Sequence, residues 1–243
     1  MSAATFPVLW RTTPGSSRAL LGLAGLSVGG ASLWFFPFWT GTPELAHAFV
    51  APLLSGWLWY ASRQEPSWLQ SPWARRAVLT VWGIAGVGLI AITTLSILAQ
   101  GLMHTQSVTL GAWVLVVLLG SILLVLDQGP DPIVRCNGAS LAGTALWLLA
   151  VPLPPGPLTT LTLALRDQTT VSVLTALHWL GYPVVRHGNI LEFPHCIVGV
   201  EDACSGIRSL LACTFTGLFI AGLLLRGLWP RLLFVLGCGA LAV

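Results

Sequence analysis

Runs of about 20 mostly apolar residues, each bounded by a short polar connection, recur along almost the whole chain, and this recurrence limits what it can fold into. At about 1.5 Å per residue, a helix of that length crosses a hydrocarbon core roughly 30 Å thick. The runs fall at Ala19–Trp39, Leu45–Ala61, Ala77–Ala99, Val108–Leu126, Ser140–Leu153, Ala203–Leu225 and from Leu228 onward. Charged residues make up 8% of the chain and hydrophobic ones 55%, whereas an ordinary soluble domain carries about 25% charge. A soluble globular protein is therefore excluded. The expected fold is an all-α polytopic membrane protein of about seven transmembrane helices, with the lipid bilayer as its first partner.

Arginine placement sets the expected orientation, because short cytoplasmic connections carry the positive excess. Arg11 and Arg18 precede the first run, Arg63, Arg75 and Arg76 follow the second, Arg135 follows the fourth, and Arg226 and Arg231 follow the sixth. The alternate short connections, Thr40–Glu44 and Gln100–Ser107, hold no arginine. The N-terminus is thus expected in the cytoplasm, the protein in the inner (cytoplasmic) membrane, and the long 152–202 connection outside it. Trp34, Trp39, Trp59, Trp68 and Trp73 stand near run ends, where indoles suit the lipid interface. Ala46-His47-Ala48 resembles a signal-peptide cleavage triplet, but the apolar stretch before it exceeds the roughly 7–15 residues usual there. Gly25 and Gly29 form a GxxxG pair that reads as coincidence in a chain with 26 glycines.

A net charge of +3, dispersed along the chain, makes no nucleic-acid footprint. The five cysteines show no metal-ligand or disulfide-framework spacing, and Asp127, Asp131 and Glu201 form no acid/base pair. No metal and no cofactor is expected. The last run offers only 16 residues, about 24 Å of helix, with no anchoring residue after it. It reads as interrupted, the mark of a fragment or half of a split protein, or else as a short re-entrant tail.

Three parts are expected: N-terminal helices over 1–153, an extracytoplasmic segment over 154–202, and further helices over 203–243. The middle part opens with Pro152, Pro154, Pro155 and Pro157. An amphipathic helix is then read over about Thr159–Leu180 from the spacing of Leu163, Val171, Leu174 and Leu177. Val184–Arg186 and Ile190–Phe193 flank His187-Gly188-Asn189 as a hairpin, with Ile197–Val200 as a third strand, so a small β cap is expected.

The next helix reads Glu201-Asp202-Ala203-Cys204-Ser205-Gly206-Ile207-Arg208 at its start. With Asp202 as N-cap, Cys204 falls in the first turn, where free N–H groups and the helix dipole favour a thiolate. Glu201 and Asp202 act the other way on the thiol. Arg208 follows at i+4 as the one charged residue of its run, and an ionisable group within a span marks a functional site. Thiol, cation and the Ser205 and Gly206 N–H groups suit attack on a carbonyl and support of the oxyanion.

These residues carry a resemblance. From His178 to Val243, the stretch Gly-Tyr-Pro-Val-Val-Arg-His-Gly-Asn-Ile-Leu-Glu-Phe-Pro followed by Glu-Asp-Ala-Cys-Ser-Gly-Ile-Arg-Ser-Leu resembles the core of the exosortase/archaeosortase family. The resemblance implies a polytopic membrane cysteine transpeptidase that cuts C-terminal sorting signals of the PEP-CTERM kind from surface proteins. The new carboxyl end passes to an acceptor that the sequence does not name. Cys204 would be the nucleophile, facing outward, and Arg208 the residue that orients substrate or supports the thiolate. The family pattern continues with a second arginine and then a histidine on later helices, positions this chain does not reach. His178, His187 and His195 are conceivable substitutes, though a loop or interfacial role suits them better.

Plainer readings stand beside these. Cys204 could be a small helix-start residue or pair with Cys196, and Arg208 could snorkel to Asp202 or lipid phosphate. Cys213 and Cys238 read as packing, and Cys136 as a reduced thiol in a cytoplasmic loop. The rival function is a non-catalytic membrane protein: a transporter subunit, an assembly factor, or a degenerate paralogue that binds sorting signals without cutting them.

Overall fold

The computed structural model describes residues 15–69, 71–128, 132–199 and 206–242. The chain is mostly helical, with one small antiparallel sheet. In order come α1 (Gly15–Gly41), a 3-10 segment (Pro43–Val50), α2 (Ala51–Ala61), α3 (Pro72–Gln100), α4 (Thr105–Leu126), α5 (Gly138–Leu149) and α6 (Pro155–Trp179). Strands β1 (Val185–His187), β2 (Ile190–Glu192) and β3 (Ile197–Gly199) follow, then α7 (Ile207–Leu224) and α8 (Leu228–Leu241).

Four of these helices, α1, α3, α4 and α7, are long and apolar enough to cross a membrane. The second, fifth and seventh apolar runs form shorter elements. Proline decides two of them. Pro43 and Pro52 divide the second run into a 3-10 segment and the 11-residue α2. Prolines 152, 154 and 155 follow the 12-residue α5, which rises only ~18 Å.

Hydrogen bonds show that successive elements alternate between two ends of the bundle. At one end, Arg135 N donates to Ser62 Oγ (3.1 Å), Trp68 N to Cys136 O (2.9 Å), and Arg75 Nη2 reaches Asp127 (3.2 Å) and Leu69 O (2.7 Å). Ser67 also donates to Asp127. Asn137 caps α5 through Ala139 N and Ser140 N while its amide donates to Ser62 O at 2.5 Å. At the other end, Trp39 Nε1 donates to Ala150 O (2.6 Å), Thr109 Oγ1 to Pro152 O (2.8 Å), and Trp34 Nε1 to Leu102 O (3.2 Å). Ser209 Oγ there donates to Ala242 O (3.1 Å), bringing the end of α8 back to the start of α7. The connections carrying Arg63, Arg75, Arg135 and Arg231 thus share one end, as the charge pattern requires.

Packing between α2, α5 and α7 depends on absent side chains. A Cβ on Gly222 would lie 2.9 Å from Ala142 Cβ and 3.1 Å from Leu58 Cδ2, and one on Gly143 would lie 3.0 Å from Ser55 O. Such approach raises dispersion where the surroundings are as apolar as the helices. Polar contacts fix the register: Trp59 Nε1 donates to Thr144 Oγ1 (3.1 Å) and Trp147 Nε1 to Ser55 Oγ (3.3 Å). Trp39 and Trp59 are therefore core residues rather than interfacial anchors, because a buried indole needs an acceptor and each finds one inside the bundle. Trp68 and Trp73 are exposed. Gly25 and Gly29 face open space and pack against nothing.

Arg231 also departs from expectation. It belongs to the first turn of α8, is buried, and pairs with Glu65 Oε1 at 2.7 Å. Its Nε donates to Ala221 O in the last turn of α7, a carbonyl that also accepts from Leu225 N.

Between α5 and α7 the chain forms a helix and a small three-stranded sheet. Helix α6 starts at Pro155, which as a first-turn proline needs no N–H partner. Leu165 and Thr170 are buried, and of the residues read as its apolar face Leu174 and Leu177 are partly buried while Leu163 and Val171 are exposed. The hairpin pairs Val185 with Glu192 and His187 with Ile190, leaving Gly188-Asn189 as a two-residue turn with Gly188 at φ 65°. β3 joins antiparallel to β2. Asp167 and Arg186 form an ion pair between α6 and β1.

Candidate active site at the cap end of the bundle

Three helical elements begin around one cavity of about 450 Å³: the 3-10 segment at Pro43, α6 at Pro155 and α7 at Ile207. Among the described residues, Glu44, Arg166 and Arg208 are its charged lining, and Leu45, Leu158 and Leu211 supply part of an apolar wall. Unpaired first-turn N–H groups and helix dipoles both favour negative charge at such a place. The two guanidiniums add to that field, and Glu44 is the carboxylate that opposes it.

Arg208 owes its position to Gly206. That residue is the N-cap of α7 with φ 75°, a left-handed conformation glycine adopts without a Cβ penalty. The described helix thus begins at Ile207 with Arg208 in its first turn, and the expected N-cap, Asp202, lies outside the described residues. Its side chain is 60% exposed and its Nη2 lies 4.0 Å from Glu44 Oε1. Cys204, with Glu201, Asp202, Ala203 and Ser205, lies outside the described residues.

The 3-10 segment is held against α7 one side and α5 on the other. His47 Nε2 is 3.0 Å from Leu149 O, and its ring packs against Phe215 of α7 at a centroid separation of 4.9 Å, tilted by 54°. Leu45 and Ala48 beside it are buried. This docking brings Glu44 to the cavity. Arg166 is placed by the cap: with the Asn189 amide turned so that its oxygen faces α6, it accepts from Arg166 Nε (2.7 Å) and Nη2 (2.9 Å).

The histidines lie elsewhere. His178 Nε2 is 3.0 Å from Val184 O at the end of α6, and His187 pairs across the hairpin with Glu192 at 3.2 Å. His195 is exposed on the cap. None of the three lines the cavity. Cys196 is a free, exposed thiol. Cys213 is exposed along α7, and Cys238 is the packing partner of Gly217, where a Cβ would meet its Sγ at 2.9 Å. The Cys136 thiol is buried at the arginine end. Burial first, and the Asp127 carboxylate second, push its pKa up to about 11 against the opposing pull of Arg75.

Glu44 and Arg166 were not singled out as functional by sequence. Glu44 did carry a signal, as an ionisable residue at the border of an apolar run. Arg166 carried none, because its meeting with the cavity depends on which face α6 turns inward.

The family model described as Transmembrane exosortase (Exosortase_EpsH) matches residues 39–243. No curated protein and no solved structure matches the chain. The matched residues include the 3-10 segment, the cap, and both helices that meet at the cavity, and on that match the chain belongs to the transmembrane exosortase family.

Proposed function

We propose that this protein is a membrane cysteine transpeptidase that removes C-terminal sorting signals of the PEP-CTERM kind from exported proteins. Its proposed setting is the cytoplasmic membrane, with seven crossings, the N-terminus inside and the cavity outside. Gathering of the arginine connections at one end supports that orientation.

Arg208 carries the reading: within the matched residues, it lines a large cavity where three helical elements begin. Cys204 stands two residues before Gly206 in the chain. As a thiolate, its sulfur attacks the scissile carbonyl, and the tetrahedral oxyanion is stabilised by Arg208 and nearby N–H groups. The peptide C–N bond then breaks, the leaving amine takes up a proton, and a thioester remains on the sulfur. The acceptor's nucleophilic atom displaces the sulfur, releasing its own proton and restoring the thiolate. The leucine wall suits an apolar peptide segment, and the cationic lining suits the charge that develops on the carbonyl oxygen.

The test is to incubate membranes containing the protein with a labelled sorting-signal peptide. A covalent adduct that hydroxylamine releases, and that Cys204→Ser abolishes, supports the assignment. Peptide binding without adduct would assign the chain to non-catalytic docking instead.

A further inference from the structure

We infer that Glu44 is a positioning residue that holds the Arg208 guanidinium over the cavity. This inference rests on the proposed function for its catalytic meaning, but its geometry stands independently.

A cation in the first turn of a helix faces the positive end of the dipole and is displaced outward unless a counter-charge holds it. Arg208 occupies that place in α7, and its side chain is 60% exposed. Glu44 comes from an element distant in sequence, lines the same cavity, and lies 4.0 Å from Nη2. Its own place is favourable, since a carboxylate in the first turn of the 3-10 segment complements that segment's dipole. The element carrying it is docked by the tilted His47–Phe215 ring contact and the His47–Leu149 contact, which set where its backbone meets the cavity.

The contact is also loose. Arginine has five N–H donors in a planar fork, and Glu44 engages one nitrogen at the outer limit of an ion pair. The remaining donors stay available to a substrate or oxyanion. Without Glu44, the long side chain can snorkel toward lipid phosphate and leave the cavity.

Two measurements on the full chain in native membranes decide the matter. In the first, phenylglyoxal modification of Arg208 is followed by peptide mass mapping in wild type, Glu44→Gln and Glu44→Asp. Modification several-fold faster in Glu44→Gln, and close to wild type in Glu44→Asp, is expected; equal rates in all three overturn the inference. In the second, signal-peptide turnover is compared. Glu44→Gln should lower kcat about tenfold, a modest share of the ~100-fold that a 1 Å misplacement can cost, with KM little changed and Glu44→Asp restoring most of the rate. A Glu44→Gln enzyme with unaltered kcat overturns the inference while a Cys204-dependent adduct still upholds the proposed function. Absence of any such adduct in wild type defeats the proposed function, and the labelling measurement still decides the role of Glu44.

Discussion

Arg231 and Glu65, separated by 166 residues in sequence, meet at 2.7 Å at the arginine end of the bundle, with side chains only 8% and 16% exposed. The pair joins α8 to the turn after α2, and Arg231 Nε also donates to the last turn of α7. Removing one partner of such a pair leaves a buried charge uncompensated, which costs more than the pair itself contributes.

Glu65→Ala is accordingly expected to lower stability by about 3 kcal/mol, read as a fall in the Tm of the detergent-solubilised protein. Exchanging both residues, as Glu65→Gln with Arg231→Met, should recover much of that loss. A single variant as stable as wild type would refute the assignment.

Glycine substitutions should separate close packing from open surface. Gly222→Val places new atoms against Ala142 and Leu58, and an overpacking cost of about 1–3 kcal/mol is expected. Gly25→Ala meets nothing within 4 Å and, inside α1, should be neutral or stabilising by up to about 1 kcal/mol. Thermal melts of the two variants side by side check the contrast.

Cys136 should be chemically silent while the protein is folded. Its thiol pKa is raised from 9.0 to about 11, so at neutral pH it is protonated as well as buried. Iodoacetamide should label Cys196 readily and Cys136 only after unfolding. The folded protein holds this proton where the unfolded chain has lost it, so this group makes stability fall as pH rises from about 9 toward 11. Cys136→Ser should flatten that alkaline slope.

Topology can be read from single cysteines in intact cells. Exposed Cys196 should react with a membrane-impermeant maleimide added outside, and an Arg76→Cys substitution should react only after permeabilisation. The reverse pattern would invert the proposed orientation.

Local chemistry made much of the cap legible. His187-Gly188-Asn189 between β-rich segments predicted the hairpin, and the observed register takes His187 into β1 opposite Ile190, leaving Gly188-Asn189 as the turn. Other features were not readable because several local signals compete. Residue type favours Ser, Thr, Asp or Asn as a cap, but the described α7 takes Gly206, whose left-handed φ leads the chain into the helix. Trp39 suits an interface by its position near a run end. Its burial follows from the Ala150 carbonyl, which α5 presents from 111 residues away.

By itself, the amino-acid order determined the membrane class, the alternation of arginine-rich and arginine-free connections, and the hairpin. Each depends on hydropathy, charge or backbone preference within a few residues. Tertiary structure alone decided which tryptophans are core, which face α6 turns inward, and that Arg231 is buried rather than solvated. It also decided that Glu44 and Arg208, far apart in the chain, share one cavity. These outcomes depend on which helices become neighbours, a choice made by steric fit at residues such as Gly222 and by buried polar groups finding partners across the bundle.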